Sequence, residues 1–182
     1  MIAERAISQL SSHLTRLRAG DGDDVEIVRW LRDLAPGIAS CPRPAALDPA
    51  RGYGRSLLHR GEGFEVVAIH WDANVTTPIH DHGGALCWLA IADGSMHVDN
   101  YRRIDSGSDE GYARIELEGR QELPLGGVDY RQDDVHLHRC ITRAVPATSL
   151  HVYAHPIESF LTFDERTNTC APCVSTYDAV FA

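Results

Sequence analysis

The chain has no cluster of Lys and Arg. Its 17 basic residues are outnumbered by 26 acidic ones, for a formal net charge of -9, and Arg102, Arg103 and Arg114 stand among acids. A phosphate backbone is gripped by clustered cations, so nucleic acid is excluded as an expected partner. No run approaches the roughly 20 apolar residues that cross a bilayer. The opening stretch MIAERAISQLSSHLTRLRAG also lacks the apolar core of a secretory signal. The expectation is a cytoplasmic protein with no membrane partner. Internal repeats and low-complexity tracts are missing too, and so is an even count of cysteines. Cys41, Cys87, Cys140, Cys170 and Cys173 are odd in number and widely spaced, which predicts reduced thiols instead of a disulfide framework. Cys170 and Cys173 form a CxxC, but no second Cys/His pair is spaced to complete a zinc site, and the pair is read as incidental.

What remains is an ordinary globular composition, 43% hydrophobic and 24% charged, over 182 residues, enough for one domain with a proper core. Residues 1–45 read as a helical segment. Ile7, Leu10, Leu14 and Leu17 recur at spacings of three and four, and Val25, Ile27, Val28, Leu31 and Leu34 resume the pattern after a break at residues 19–24. Asp23 or Asp24 is placed to cap the second helix. The Pro-rich stretch 36–49 is expected to be a loop. From about residue 53 the character changes to short runs rich in Val, Ile, Leu and aromatics, separated by Gly, Asp, Asn and Pro. Examples are 55–59, 64–71, 86–92, 95–103, 113–117, 129–130 and 149–153. Residues 46–182 therefore predict an all-β body, an antiparallel barrel or jelly roll able to enclose a ligand.

Ten histidines are present, and two of them form the sharpest local feature, His80-Asp81-His82 within TTPIHDHGGALCWLAIADG. Residues two apart on a strand share a face, so both imidazoles project into one space, as a divalent transition metal requires. A third ligand must come from elsewhere, with His136, His138 and His151 as candidates. Ser149, His151 and Tyr153 alternate with Leu150 and Val152, which puts three polar groups on one strand face. On a buried face they must satisfy one another or line a wet cavity. As an outward face of an edge strand they would need no such partners. Arg55 and Tyr53 are two residues apart on another run; a planar guanidinium there could take a carboxylate two-pronged, or form a surface ion pair.

The spacing from His80 and His82 to Cys87 and Gly94 resembles the first motif of the cupin superfamily, with Asn74 at its opening Gly and Cys87 at its Glu. Gly127 and His138 keep the spacing of the second motif, while Asp133, Val135 and Thr142 replace its Pro, Gly and Asn. A cupin with Cys at the Glu position resembles the cysteine dioxygenases. Further pieces follow in order: Tyr53-x-Arg55, Trp71 ahead of the HDH pair, the Leu-His-Arg segment at His138, the Ser149-x-His151-x-Tyr153 row and FDERT at 163–167. The resemblance runs from about residue 53 to 168.

The resemblance implies a cupin-type jelly-roll β-barrel with N-terminal helices, holding Fe(II) through His80, His82 and His138. It implies oxidation of L-cysteine by O₂ to cysteine sulfinate. Tyr53 and Arg55 would hold the substrate carboxylate, the Ser149–His151–Tyr153 row would orient Tyr153 toward the metal, and Cys87 could form a thioether with Tyr153. Relatives that prefer 3-mercaptopropionate tend to carry Gln at the position of Arg55, so Arg55 favours cysteine. The alternatives are the same chemistry on 3-mercaptopropionate or mercaptosuccinate, or a non-catalytic cupin that senses a small ligand. The expected partners are a small thiol and O₂, and the expected state is a monomer or a weak homo-oligomer.

Overall fold

A computed structural model describes residues 2–38, 43–44, 47–131 and 135–181. Two antiparallel-rich sheets face one another, with two helices laid on the outside of the first. The helices are α1 (Glu4–Arg18) and α2 (Asp24–Ile38). Asp23 caps α2, its Oδ1 accepting from the Val25 and Glu26 N–H groups at 3.1 and 3.4 Å. The loop expected from residue 36 begins later: α2 runs through Pro36 to Ile38. Ala35 and Ile38 are buried in the core, and that packing outweighs the missing Pro36 N–H in the last turn. Cys41 and the rest of 39–42, with 45–46, lie outside the described residues.

The strands are β1 (Tyr53–Gly61), β2 (Phe64–Trp71), β3 (Ile79–His80), β4 (Leu86–Asp93), β5 (Met96–Arg103), β6 (Ile115–Leu123), β7 (Val128–Arg131), β8 (His136–Ile141), β9 (Ala147–Ala154), β10 (Ser159–Asp164), β11 (Thr169–Val174) and β12 (Ala179–Val180). One sheet runs β12-β1-β2-β9-β4-β7 and the other β11-β10-β3-β8-β5-β6. The jelly-roll expectation holds, as a sandwich of two sheets and not as one closed ring of hydrogen bonds. All pairings between the named strands are antiparallel except β12 on β1. The run expected at 113–117 is displaced: β6 starts at Ile115 and continues to Leu123 through a polar, largely exposed sequence that carries little hydrophobic signal.

The first sheet is buried on both faces, and its residues sort by parity. Val66, Ala68, Trp88, Ala90, Ala92, Leu150 and Val152 pack with Leu10, Leu14, Ile27, Trp30 and Leu31 of the helices. Their neighbours Val67, Ile69, Trp71, Cys87, Leu89, Ile91 and Tyr153 pack inward with Met96, Val98 and Cys140 of the second sheet. Period-two alternation of a pleated strand produces this division. β9 is therefore a central strand, not an edge, and its polar row faces the interior. Asn74 supplies a turn before β3 with φ of 61°. Asn tolerates the left-handed region, which explains how it stands in for the Gly of the cupin motif.

Cys170 and Cys173 are three apart on β11, and residues that far apart point to opposite faces of a strand, so the CxxC does not close on itself. Cys87, Cys140, Cys170 and Cys173 are all free thiols. No helix among the described residues is long and apolar enough to cross a membrane.

Candidate metal centre

Three imidazoles meet between the sheets. His80 ends β3 and lies opposite His138 of β8 in the strand register, and His82 follows two residues later. One ligand atom from each lies within 4.8 Å of the others, and among the described residues no carboxylate or thiol joins the group. Ring centroids are 4.7 Å apart for His80–His138, 4.9 Å for His82–His138 and 5.4 Å for His80–His82. His138, and not His136 or His151, is the third member of this candidate group among the described residues.

The strand bearing the HDH pair is shorter than its alternation predicts, and Asp81 makes up the difference. Its N–H donates to the Leu161 carbonyl at 3.1 Å. Its carboxylate accepts from the Leu161 N–H at 2.8 Å and the Gly83 N–H at 3.2 Å. Asp81 is thus a clamp on β10 that holds the flanking imidazoles together. Gly83 has a φ of +58°, and a Cβ there would strike the Ser159 carbonyl, so the turn after the pair requires glycine.

Two of the rings are oriented from behind. His80 Nδ1 sits 3.0 Å from the Pro78 carbonyl, and His138 Nδ1 sits 3.1 Å from Asp129 Oδ2. Each of these contacts needs Nδ1–H as donor, which leaves Nε2 as the free lone pair. Asp129 is in turn held by Gln121 Nε2 at 2.8 Å and by Arg131 at 2.9 Å, and Arg131 also donates to Asn100. Burial pushes the Asp129 carboxyl above its ordinary range, against the pull of Arg131 and Gln121. A carboxylate–histidine pair of this kind fixes the tautomer and raises the basicity of the ligand nitrogen. Asp129 is the functional residue that sequence reading missed. Its signal was the Asp129-x-Arg131 alternation on a short strand just ahead of the ligand strand.

The electrostatics suit a cation. Burial lowers His80 to about 4. Burial, and then the neighbouring imidazoles, hold His82 and His138 well below 6.5. All three are therefore neutral with lone pairs available at neutral pH, the form that ligates. His82 Nδ1 is buried without a hydrogen-bond partner among the described residues. Neutral imidazoles converging in a buried pocket fit a divalent transition metal and leave coordination positions open.

Behind the trio the β9 row is wired as its alternation predicts. Trp71 Nε1 donates to Ser149 Oγ at 2.9 Å, Ser149 Oγ lies 2.7 Å from His151 Nε2, and His151 Nδ1 lies 3.0 Å from the Tyr153 hydroxyl. Burial lowers His151 to about 3, so it is neutral and carries one proton. Indole only donates. The arrangement that satisfies every group has Ser149 donating to Nε2 and Nδ1–H donating to Tyr153. The Tyr153 O–H then points onward, and its ring lies 6.0 Å from that of His82. Burial, with Cys87 adjacent, raises Tyr153 well above its ordinary value and keeps it a neutral phenol. Cys87 is the register partner of Tyr153, so the two side chains share a face with Cβ atoms about 5 Å apart. Burial likewise keeps the Cys87 thiol protonated.

Arg55, 8% exposed, enters the same cavity from β1. Its guanidinium lies 5.9 Å from the Tyr153 ring centroid, and its Nε is buried with no partner among the described residues. Tyr53 packs on Trp71 at 4.8 Å. The cavity these residues enclose with His80, His82, His138 and Phe160 measures about 60 Å³, room for roughly four to six water-sized groups. Of the residues singled out from sequence, Tyr53, Arg55, His80, His82, His138, His151 and Tyr153 line this space, while Ser149 and Cys87 stand behind it, against His151 and Tyr153.

The family model of cysteine dioxygenase type I matches residues 1–166. The chain is 28% identical over 185 residues to cysteine dioxygenase type 1 of Rattus norvegicus, covering 100% of this chain and 90% of the relative. It is 28% identical over 188 residues to the Homo sapiens protein, at the same coverage of 100% and 90%. Solved structures of similar shape include a cupin-superfamily sugar phosphate isomerase from Silicibacter pomeroyi, at a TM-score of 0.48 and 15% identity over 76% of this chain and 90% of that one. An oxalate oxidase with bound glycolate matches at a TM-score of 0.47 and 14% identity over 65% of this chain and 57% of that one.

Proposed function

Because the chain belongs to the cysteine dioxygenase type I family, we propose that it is an iron(II)-dependent thiol dioxygenase that converts L-cysteine and O₂ to cysteine sulfinate. The observation that carries this reading is a trio of neutral imidazoles that, among the described residues, has no carboxylate in the ligand group itself, facing a buried arginine across a small cavity. A carboxylate in the set would add negative charge and occupy a position. Its replacement by the protonated Cys87 leaves both for an anionic ligand. Iron(II) held by His80, His82 and His138 would supply the redox-active centre at which a thiolate and O₂ meet.

The chain's own residues do the rest. Arg55, with Tyr53 beside it, holds the substrate carboxylate by charge and by the planar fork of its guanidinium. Arg55 and Arg131 both bias the pocket against protonated imidazole, and the same field favours anions. Ser149 and His151 keep the Tyr153 hydroxyl donating into the cavity, where it orients the reactants. The small volume of the cavity, about 60 Å³, favours small thiols over larger ones. Cys87 and Tyr153 stand as neighbours for a thioether link, which intact-mass measurement would register as a loss of two hydrogens from the mass expected of the uncrosslinked chain. The helices of residues 1–45 share a core with the body of residues 46–182, so we treat the chain as one catalytic unit. The free thiols support a reducing compartment such as the cytoplasm.

The test is anaerobic loading with iron(II), then oxygen uptake with L-cysteine, 3-mercaptopropionate and mercaptosuccinate, and sulfinate detection. The expected result is uptake with L-cysteine at the highest kcat/KM, with Arg55→Gln shifting preference toward 3-mercaptopropionate. Iron-loaded protein that consumes no oxygen with any of the three would refute the reading and favour a ligand-sensing role.

A further inference from the structure

The family match stops at residue 166, yet the chain beyond it returns to the cavity. After β11, residues 175–178 run back beside β1. The Ser175 N–H donates to the Glu158 carbonyl at 2.9 Å, and the Asp178 N–H donates to the Arg55 carbonyl at 2.8 Å. Asp178 Oδ2 accepts the Arg55 backbone N–H at 2.8 Å, while its Oδ1 takes Arg51 at 2.7 Å. β12 then pairs with Ser56 and Leu57 of β1. Between these anchors, Ser175 Oγ accepts from Arg55 Nη1 at 2.6 Å and the Thr176 carbonyl accepts from the same nitrogen at 3.3 Å. The Tyr177 ring lies 5.2 Å from the Arg55 guanidinium, and the Tyr177 hydroxyl donates to Glu65, a fully buried carboxylate that also takes Arg60 at 2.9 Å.

We propose that residues 175–178 form a strap that sets substrate specificity by holding Arg55 in one orientation, with Ser175 as the positioning residue. Nη1 is committed to Ser175 and Thr176. The Nε–Nη2 edge, whose Nε is buried and has no partner among the described residues, is left to receive a carboxylate side-on. An unheld arginine would reach the same carboxylate only after surrendering its rotamer freedom. Two anchors reinforce the hold: Asp178 fixes the strap to the backbone of Arg55 itself, and Glu65 fixes Tyr177. The proposal rests on the reading of Arg55 as the carboxylate partner, and its experiment separates the two.

Equilibrium binding of L-cysteine and of 2-aminoethanethiol, which lacks the carboxylate, is measured anaerobically on the iron-loaded full chain. Ser175→Ala is expected to weaken L-cysteine roughly tenfold, the loss of one hydrogen bond to a charged group, and to leave 2-aminoethanethiol within about twofold. Ser175→Thr, which keeps the hydroxyl, is expected to restore L-cysteine binding. Should Ser175→Ala fail to fold, Tyr177→Phe carries the same test by freeing the strap from Glu65. Equal weakening of both thiols, or of neither, overturns the strap provided that Arg55→Lys weakens L-cysteine selectively. If Arg55→Lys itself leaves the discrimination between the two thiols unchanged, the carboxylate reading of Arg55 falls, and the strap falls with it.

Discussion

Replacing Asp129 by Asn should loosen the metal without disturbing the fold. The carboxylate sits 3.1 Å behind His138 Nδ1 and is held by Gln121 at 2.8 Å and Arg131 at 2.9 Å. Asn keeps the shape but removes the charge. It can still accept from Nδ1–H and from Arg131 through its oxygen, and its amide nitrogen would then have to face the Gln121 donor. Turning the amide round instead would present a donor to Nδ1 and force the tautomer that blocks Nε2. Both arrangements cost ligand strength. Partners placed behind metal ligands are typically worth about 10–100-fold in affinity, or roughly 1.4–2.8 kcal/mol. The assay is competition between the apo protein and a chromophoric chelator for iron(II) under anaerobic conditions, with cobalt(II) as a spectroscopic check on ligand number. Circular dichroism and a urea midpoint would show the fold retained. Affinity unchanged within about twofold, in a folded protein, would refute the idea that Asp129 tunes His138.

Three further outcomes are expected. His138→Ala should abolish stoichiometric metal binding while His136→Ala leaves it intact, as read by metal content after loading; the reverse result would reassign the third ligand. Ser149→Ala should strand Trp71 Nε1 and His151 Nε2 in the core, costing on the order of 1–3 kcal/mol in urea unfolding. It should also lower kcat more than KM is raised, because Tyr153 loses its fixed orientation, and a variant with wild-type stability and turnover would contradict the relay. For the metal-free protein, His151 and His80 have folded values of about 3 and about 4 against an ordinary 6.5. Between those values and 6.5 the unfolded chain binds protons that the folded chain refuses. Stability is therefore complete above about 6.5 and falls as pH drops through that window, by several kcal/mol in order of magnitude. Urea midpoints at pH 7 and pH 4.5 would test it, and equal midpoints would exclude neutral buried imidazoles.

How much of this was legible in the sequence depended on how local each signal was. His80 and His82 announce themselves two residues apart, and the Ser149–His151–Tyr153 row is written in the pleat of one strand. His138 was reachable only through motif spacing, since His136 offers an equivalent local pattern. Asp129 shows itself only by the weak Asp129-x-Arg131 alternation, because its role arises from β7 lying beside β4 while β8 brings His138 to it across the sandwich. The strap is the extreme case: Ser175 meets Arg55 across 120 residues of sequence, and β12 pairs through two residues with no periodicity to read. The helix end at Ile38 was hidden by Pro36, whose local preference lost to burial of its neighbours.

The parity of the central sheet has a consequence for how such a protein can change over generations. One thickness of backbone separates the helix-facing side chains from the cavity-facing ones, and along β9 the two sets simply alternate. Substitutions at Leu150 and Val152 are screened by whether the chain folds, whereas those at Ser149, His151 and Tyr153 are screened by what the pocket does. Because neighbouring codons answer to different demands, selection can remodel the chemistry of the cavity while leaving the helix contacts untouched. A lineage could thus drift from one small substrate to another without passing through unstable intermediates.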